Sequence, residues 1–458
     1  MATLAFGAVL LTVLVAFLAG RRRLAAQVSG AGDSHSLPDY HGAFVALWAG
    51  LPAFVLVLAW LLLQGPLVES LLVASLPAEL VEGTSEAQRN LLVAEIKSIA
   101  AGQIFGQPEP ALVDAAERFL AWRQIASWAM VACAAALALL GLALARSRVA
   151  PEFRARQRVE RIFFWLMVFC STVAVVTTLG ILLSLLFEAY RFFERVPLFE
   201  FLFGLNWEPQ MAIRADQVAG QGAFGAIPVF TGTLLVALLA MLVAGPIGLL
   251  SAIYLAEYSG RGFRRSVKPI LEILAGVPTI VYGIFAVLTV APALREAGAA
   301  LGIAVAPNSA LAAGAVMGIM ILPFISSLSD DAIAAVPQSL RDGSYALGAT
   351  KAETIVQVLL PAALPGIVGG FLLAASRAIG ETMIVVMAAG LIANLTANPL
   401  EAVTTVTVQI VTLLIGDTEF DSPKTLAAFA LGLVLFLVTL ALNVVALRFV
   451  QKYREKYE

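Results

Sequence analysis

Asp342-Gly343-Ser344-Tyr345-Ala346-Leu347-Gly348, nine further residues, then Val358-Leu359-Leu360-Pro361: this stretch decides how the chain is read. It is moderately polar and stands between two long apolar segments, so it must lie in water beside a membrane. Ser329, Asp330 and Asp331 offer caps for a short helix that Pro337 ends. The spacing predicts a second helix over 338–347, closed by Gly348, a residue that turns freely after a helix end. Thr350-Lys351-Ala352-Glu353 is a capping box and opens a third helix, which Pro361 and Pro365 are expected to break. Two short helices at an angle make a stiff knob, able to transmit force without losing it in loop motion.

Composition fixes the solvent on either side of this knob. The chain has 458 residues, 60% hydrophobic and 13% charged, whereas soluble domains hold about 45–50% apolar and about 25% charged residues. Repeated apolar runs suit a hydrocarbon layer about 30 Å thick, and their continuous rather than alternating pattern selects helices over a barrel. Nine spans are expected, at about 1–20, 42–64, 124–145, 162–187, 229–255, 269–291, 309–328, 365–390 and 425–447. The first charges, Arg21, Arg22 and Arg23, follow the first apolar run instead of preceding it. That order favours an uncleaved helix over a secretory leader. With the N-terminus outside, most of the 29 Lys and Arg residues fall in inside loops. The same orientation puts the C-terminus and the knob in the cytoplasm, where ATP is.

The basic segment 146–161 divides the chain. Residues 1–145 form an extension of three spans, with an external stretch, about 65–123, whose Leu91, Leu92, Ile96 and Ile99 recur at helical spacing. A small packed helical cap is expected there. Residues 162–449 hold six spans, with the cytoplasmic loop at 329–363, and 450–458 form a cytoplasmic tail. In the external stretch 188–228, Trp207 reads either as an interfacial aromatic or as part of a docking surface. The Thr-rich segment 403–415 is too short to cross and is read as re-entrant or interfacial.

Chemistry is sparse. Cys133 and Cys170 each sit inside an apolar run, and His35 and His41 form no ligand cluster. No Ser/His/Asp set, metal-ligand cluster or Gly-Lys-Ser/Thr phosphate loop appears, which argues against an enzyme and against an ATP site of that type in this chain. One pair stands out. Arg377 and Glu381 lie four residues apart in the span after the knob, on one face if the helix is continuous. Each ionised group near the midplane costs roughly 2.5–3.5 kcal/mol on insertion scales. Such residues face the bundle interior, as a pathway or as a structural ion pair. A guanidinium fork suits phosphate-like oxyanions, and Glu381 could hold Arg377 between passages.

The spacing of the opening stretch resembles the coupling loop of ABC importer permeases: Glu-Ala-Ala, three residues, Gly, nine residues, Ile-any-Leu-Pro. Here Asp342-Gly343-Ser344 replaces Glu-Ala-Ala and Val358 replaces Ile. Arg377-Ala378-Ile379-Gly380-Glu381-Thr382, the run Leu274 to Gly283 (LAGVPTIVYG) and Tyr345 to Thr350 (YALGAT) resemble the phosphate ABC transporter permease family. Asn206 to Pro209 (NWEP), Phe224 to Pro228 (FGAIP) and Tyr254 to Glu257 (YLAE) resemble its PstC branch rather than the PstA sister subunit. The resemblance covers about 162–449 and implies an all-α, MetI-like six-helix core in a bacterial inner membrane. It implies a PstA-like second permease, two PstB-like ATPases that bind ATP and Mg, a periplasmic PstS-like phosphate-binding protein and inorganic phosphate. It gives this chain no cofactor and no nucleic-acid partner. It implies a substrate path at Arg377, Glu381 and Thr382. An ATPase-coupling surface is implied at Asp342, Gly343, Ser344, Gly348, Thr350, Lys351, Glu353 and Pro361.

Overall fold

The computed structural model describes residues 1–28, 34–77, 86–103, 109–210, 222–415 and 421–453. The chain divides into two compact units, residues 1–176 and 177–458. Nine helices among the described residues are long and apolar enough to cross a membrane.

In the first unit three long helices, α1 (Ala2–Ala25), α2 (Pro38–Ala74) and α4 (Pro110–Ser147), pack side by side. Their core is built from Val9, Val57, Met130 and Ala134 at one level and Leu24, Phe44, Val45 and Ala145 at another. Small residues let the backbones approach, as expected where lipid removes the hydrophobic drive for association. A Cβ on Gly141, for example, would stand 2.3 Å from the carbonyl oxygen of Trp48. The short α3 (Glu86–Ala100) buries Ile96 against Leu72, Leu112 and Phe119, and Lys97 pairs with Glu69 at 2.6 Å. The cap therefore packs, though on a narrower face than its spacing suggests, because Leu91 points outward. Residues 78–85 and 104–108 of that stretch lie outside the described residues, as do 211–221, 416–420 and most of the tail. Helix α5 (Ala155–Phe193) starts within the basic segment and continues into the second unit.

The second unit continues with α6 (Leu198–Phe203), a two-residue antiparallel pair of β1 (Trp207–Glu208) with β2 (Ala223–Phe224), and α7 (Ile227–Ile253). Next come α8 (Arg261–Ala275), α9 (Thr279–Phe285), α10 (Ala291–Ala300) and α11 (Ala310–Ala334). The chain ends with α12 (Gln338–Ala346), α13 (Lys351–Thr354), α14 (Leu360–Ile379), α15 (Met383–Ala388), α16 (Val406–Leu414) and α17 (Pro423–Tyr453). Helix α11 is the hub. Gly314 and Gly318 admit Leu239 and Val243 of α7 on one side, and Leu328 and Ala332 meet Gly370 and Gly366 of α14 on another.

The structure corrects several sequence expectations. The span read at 269–291 begins only at Thr279, since Pro278 follows the end of α8 and separates that amphipathic helix from α9. The span read at 365–390 runs over 351–379 instead and stops at Gly380. Pro361 and Pro365 do not break it. A wide π turn over Ile355–Leu359 precedes Pro361, and another over Ala286–Val290 precedes Pro292. Such a turn absorbs the missing N–H of proline and the clash behind its ring. Trp207 is neither interfacial nor a docking residue. It is buried among Phe201 and Phe224, and its Nε1 donates to Gln409 Oε1 at 2.9 Å. The segment read as re-entrant contains the nine-residue α16, roughly 13 Å long at 1.5 Å per residue and unable to cross.

Candidate functional site

Two places in the second unit gather the residues singled out above. The first is the end of α14. Gly380 closes the helix, and Glu381, next in line, turns its carboxylate onto the following segment: Oε1 accepts from the N–H of Met383 at 3.1 Å and of Ile384 at 3.4 Å. Those are orphan donors of the short α15, so the acid satisfies groups that lipid could not. Its own carbonyl accepts from Thr407 Oγ1 at 2.9 Å. Glu381 is thereby buried. Arg377, one turn back on α14, is exposed, and its guanidinium stacks 4.6 Å from the ring of Phe324, just past the midpoint of α11. Its neighbour Ser376 donates to Asn443 Oδ1 on α17 at 3.0 Å.

The expected Arg377–Glu381 pair therefore does not form. Spacing of four places two side chains on one face only if the helix continues, and here it stops at Ile379. Among the described residues no ion pair links the two. Thr382 occupies the N-cap position of α15, with its hydroxyl 3.5 Å from the carbonyl of Gly380.

Beyond α15 the chain is non-helical over 389–405, and several of its carbonyls accept from neighbouring segments. Ala310 and Leu311 donate to the carbonyls of Glu401 and Pro399, Val406 N–H reaches Thr233 Oγ1, and Gln409 Nε2 donates to Leu391 O. The run Leu274 to Gly283 meets this region. Tyr282 hydroxyl donates to Leu274 O at 2.8 Å, tying α9 to α8, and Gly283 leaves room for Met387 of α15.

The second place is the knob. Gly348 adopts φ +87°, and the end of α12 is closed by Ala349 N–H to Ser344 O and Gly348 N–H to Tyr345 O, the Schellman pattern. The capping box is complete: Thr350 N–H donates to Glu353 Oε2 at 2.7 Å and Glu353 N–H to Thr350 Oγ1 at 3.4 Å. Ser344 and Thr354 hydroxyls bond at 2.9 Å and join α12 to α13. Asp342 accepts from Gln338 at 3.0 Å and is exposed, Gly343 has open space around it, and Leu347 at the tip is 92% exposed. Pro361 is exposed in the first turn of α14.

Salt bridges tie this knob to the membrane helices. Arg341 pairs with Glu257 at 3.2 Å and donates to Ile333 O at 2.8 Å. Lys351 donates to Glu257 O and lies over the ring of Tyr258. Glu257 and Tyr258 belong to a π turn, Tyr254–Tyr258, that extends α7. Ser329, Asp330 and Asp331 are not caps; they lie inside α11. The Asp330 carboxylate, 2% exposed, takes Arg264 and Lys268 of α8 at 2.9 Å each, and Asp331 takes Lys268 at 2.7 Å. Burial by itself would lower the Lys268 ammonium, yet the two carboxylates hold it above its ordinary range. These clamps were missed because Asp330 finds its partners more than sixty residues away. The available signal was Arg264 and Lys268, spaced to share one face of α8.

Two family models match the chain: "Phosphate ATP-binding cassette transporter" over residues 7–103 and "Binding-protein-dependent transport system inner membrane component" over 244–455. The phosphate transport system permease protein PstC of Xylella fastidiosa (strain 9a5c) is 33% identical over 267 residues, covering 54% of this chain and 76% of that protein. PstC of Pasteurella multocida is 32% identical over 300 residues, covering 60% and 85%. The probable ABC transporter permease protein YqgH of Bacillus subtilis is 32% identical over 289 residues, covering 62% and 89%. The chain belongs to the PstC family of ABC transporter permeases. Among solved structures, a chain of a bacterial alginate ABC transporter, in complex with its alginate pentasaccharide-bound periplasmic protein, aligns at TM-score 0.45 and 16% identity. That alignment covers 66% of this chain and 99% of that one.

Within this PstC-family permease the two places are distinct. Lys351 and Arg377 sit at opposite ends of one continuous helical span, about 39 Å apart at 1.5 Å per residue. Ser344, Gly348, Thr350, Lys351 and Glu353 meet at the turn between α12 and α13, and Pro361 lies further on, in the first turn of α14. Of the three path residues, Arg377 faces outward from the fold while Glu381 is turned in to hold the break.

Proposed function

We propose that this permease forms one half of the conduit of an ATP-driven phosphate importer, and that the anion passes Arg377. The supporting observation is a guanidinium that makes no ion pair among the described residues, stacked on Phe324 just past the midpoint of α11 and exposed on the fold's surface. Facing acyl chains there would cost several kcal/mol, so the position favours a water-filled seam against a second, PstA-like permease. Its planar fork matches an oxyanion. In this reading Glu381 is a positioning residue: it fixes where α14 stops and α15 starts.

The knob is the seat for a separate, PstB-like ATPase, which binds ATP and Mg, while this chain hydrolyses nothing. Leu347 at its tip offers the apolar anchor, and Asp342, Gly343 and Tyr345 are exposed on the same short helix and turn. Motion of the seat reaches α7 through Glu257, α11 through Arg341 and α14 through α13. A periplasmic PstS-like protein delivers phosphate from the side of the N-terminus, and the C-terminus lies in the cytoplasm of a bacterial inner membrane.

The test is purification with the candidate nucleotide-binding subunits, followed by an ATPase assay in liposomes. Phosphate, presented by its binding protein, should raise turnover, and sulfate or molybdate should not. Stimulation by sulfate or molybdate alone would reassign the substrate. Anion flux through the purified chain with no ATPase present would sink the reading.

A further inference from the structure

Helix α8 (Arg261–Ala275) has no buried residue, although it is tied at both ends to membrane spans. Ser259 and Gly260 join it to the extended end of α7, and Gly276 to Pro278 join it to α9. It is therefore held at the membrane boundary along its length, roughly 22 Å. Its rotation is also fixed. Arg264 and Lys268, one turn apart, point at Asp330 of α11 and cannot leave it without stranding a buried carboxylate.

With those two turned inward, the remaining residues sort into two exposed faces. Arg261, Arg265 and Glu272 share one. Phe263, Ile270 and Ile273, exposed by 52, 58 and 68%, share the other. An apolar face beside a basic one, at the level where two spans emerge, is how a helix lies in a lipid interface. Arg261 and Arg265 stand four residues apart and, among the described residues, neither makes an ion pair.

We propose that α8 rests on the inner leaflet with Phe263, Ile270 and Ile273 in the acyl boundary, and that Arg261 and Arg265 bind the phosphates of anionic phospholipids. Charge complementarity and attachment of both ends to spans select lipid over a soluble partner. Because Tyr282 ties the end of α8 to α9, and Gly283 of α9 packs on Met387 of α15, the lipid contact bears on the segment just after Arg377. The proposal needs only that the chain is inserted in a membrane, and stands apart from the assignment of phosphate as cargo.

The test uses the full-length chain in vesicles of phosphatidylcholine with or without phosphatidylglycerol. A spin label on Ile270→Cys, in a chain whose Cys133 and Cys170 are changed to Ala, should be reached by oxygen and shielded from a water-soluble nickel complex. Phosphatidylglycerol retained by the purified chain, counted by native mass spectrometry, should fall about tenfold in the R261Q/R265Q double variant, given roughly a factor of several for each basic residue near the surface. The equally basic control R154Q/R158Q should retain it. Access of the nickel complex, or exclusion of both probes by a covering protein, would overturn the interfacial placement. Unchanged phosphatidylglycerol retention in R261Q/R265Q would overturn the headgroup site.

Discussion

The knob and the mid-membrane break treat charge in opposite ways. Around the knob, Asp330, Arg264 and Lys268, and likewise Glu257 and Arg341, are matched to one another. At the break, Arg377 stacks on an aromatic ring and makes no ion pair among the described residues, and Glu381, four residues on, is committed to backbone N–H groups. A permease that must carry force needs fixed joints, and matched ions supply them. A permease that must let an anion pass needs a cation not already neutralised. The contrast separates residues that hold the structure from the residue that the proposed function leaves open for a ligand.

The strongest way to break the comparison is at Arg377. Arg377→Gln should lower phosphate uptake by at least about 100-fold, or ~2.7 kcal/mol, while the purified chain stays folded and its subunits stay associated. Arg377→Lys keeps the charge but loses the planar fork, so it should recover part of the uptake. Uptake in reconstituted vesicles, set beside the melting temperature of each variant, checks both. Normal uptake by the Gln variant would remove the distinction between the two regions.

At the knob the opposite signature is expected. Asp330→Asn leaves Arg264 and Lys268 without their shared carboxylate. Because both cations are partly solvated, the cost should fall below the 3–5 kcal/mol typical of a fully buried broken pair, at about 2 kcal/mol. The variant should melt earlier whether or not substrate is present. A loss of uptake with no change in melting would mean that Asp330 acts on the substrate path and not as a joint.

Much of this organisation was legible from local pattern. Seven of the nine expected spans fall within helices of the structure, because some twenty apolar residues leave a chain no other stable course. The Gly348 turn and the Thr350–Glu353 box were also readable, since each depends on residues within one turn of the other. What escaped depends on distance or continuity. Glu381 looked paired with Arg377 because the one stop signal, Gly380, sits inside an apolar run that reads on to residue 390. Pro361 looked like a breaker because a π turn leaves no composition signal. Asp330 looked like a cap because its cations belong to another helix, and Trp207 looked interfacial because Gln409 lies two hundred residues on.

The non-helical segment after α15 provides the mildest test. Glu401 also holds its surroundings together, but with neutral donors: the Thr396 hydroxyl first and then the Asn398 amide keep its carboxyl below the usual range. A carboxyl lowered by folding adds stability above its unfolded value, about 4.3, and loses it as pH falls through the folded value. Glu401→Gln should therefore melt slightly below the parent chain at neutral pH, since its amide N–H groups face the donors that the carboxylate accepted. The gap should hold above the unfolded value and close as pH falls through the lower folded value, where the parent becomes protonated as well. It should also change little with salt, because no cation among the described residues pairs with Glu401, whereas the Asp330 clamp, formed by the half-buried Arg264 and Lys268, should weaken as salt rises. Melting curves of the parent and the two variants across pH and ionic strength distinguish a joint built from ions from one built from hydroxyl and amide donors. A salt-sensitive gap at Glu401 would place an unrecognised cation beside that segment and give it a charge balance like that of the knob.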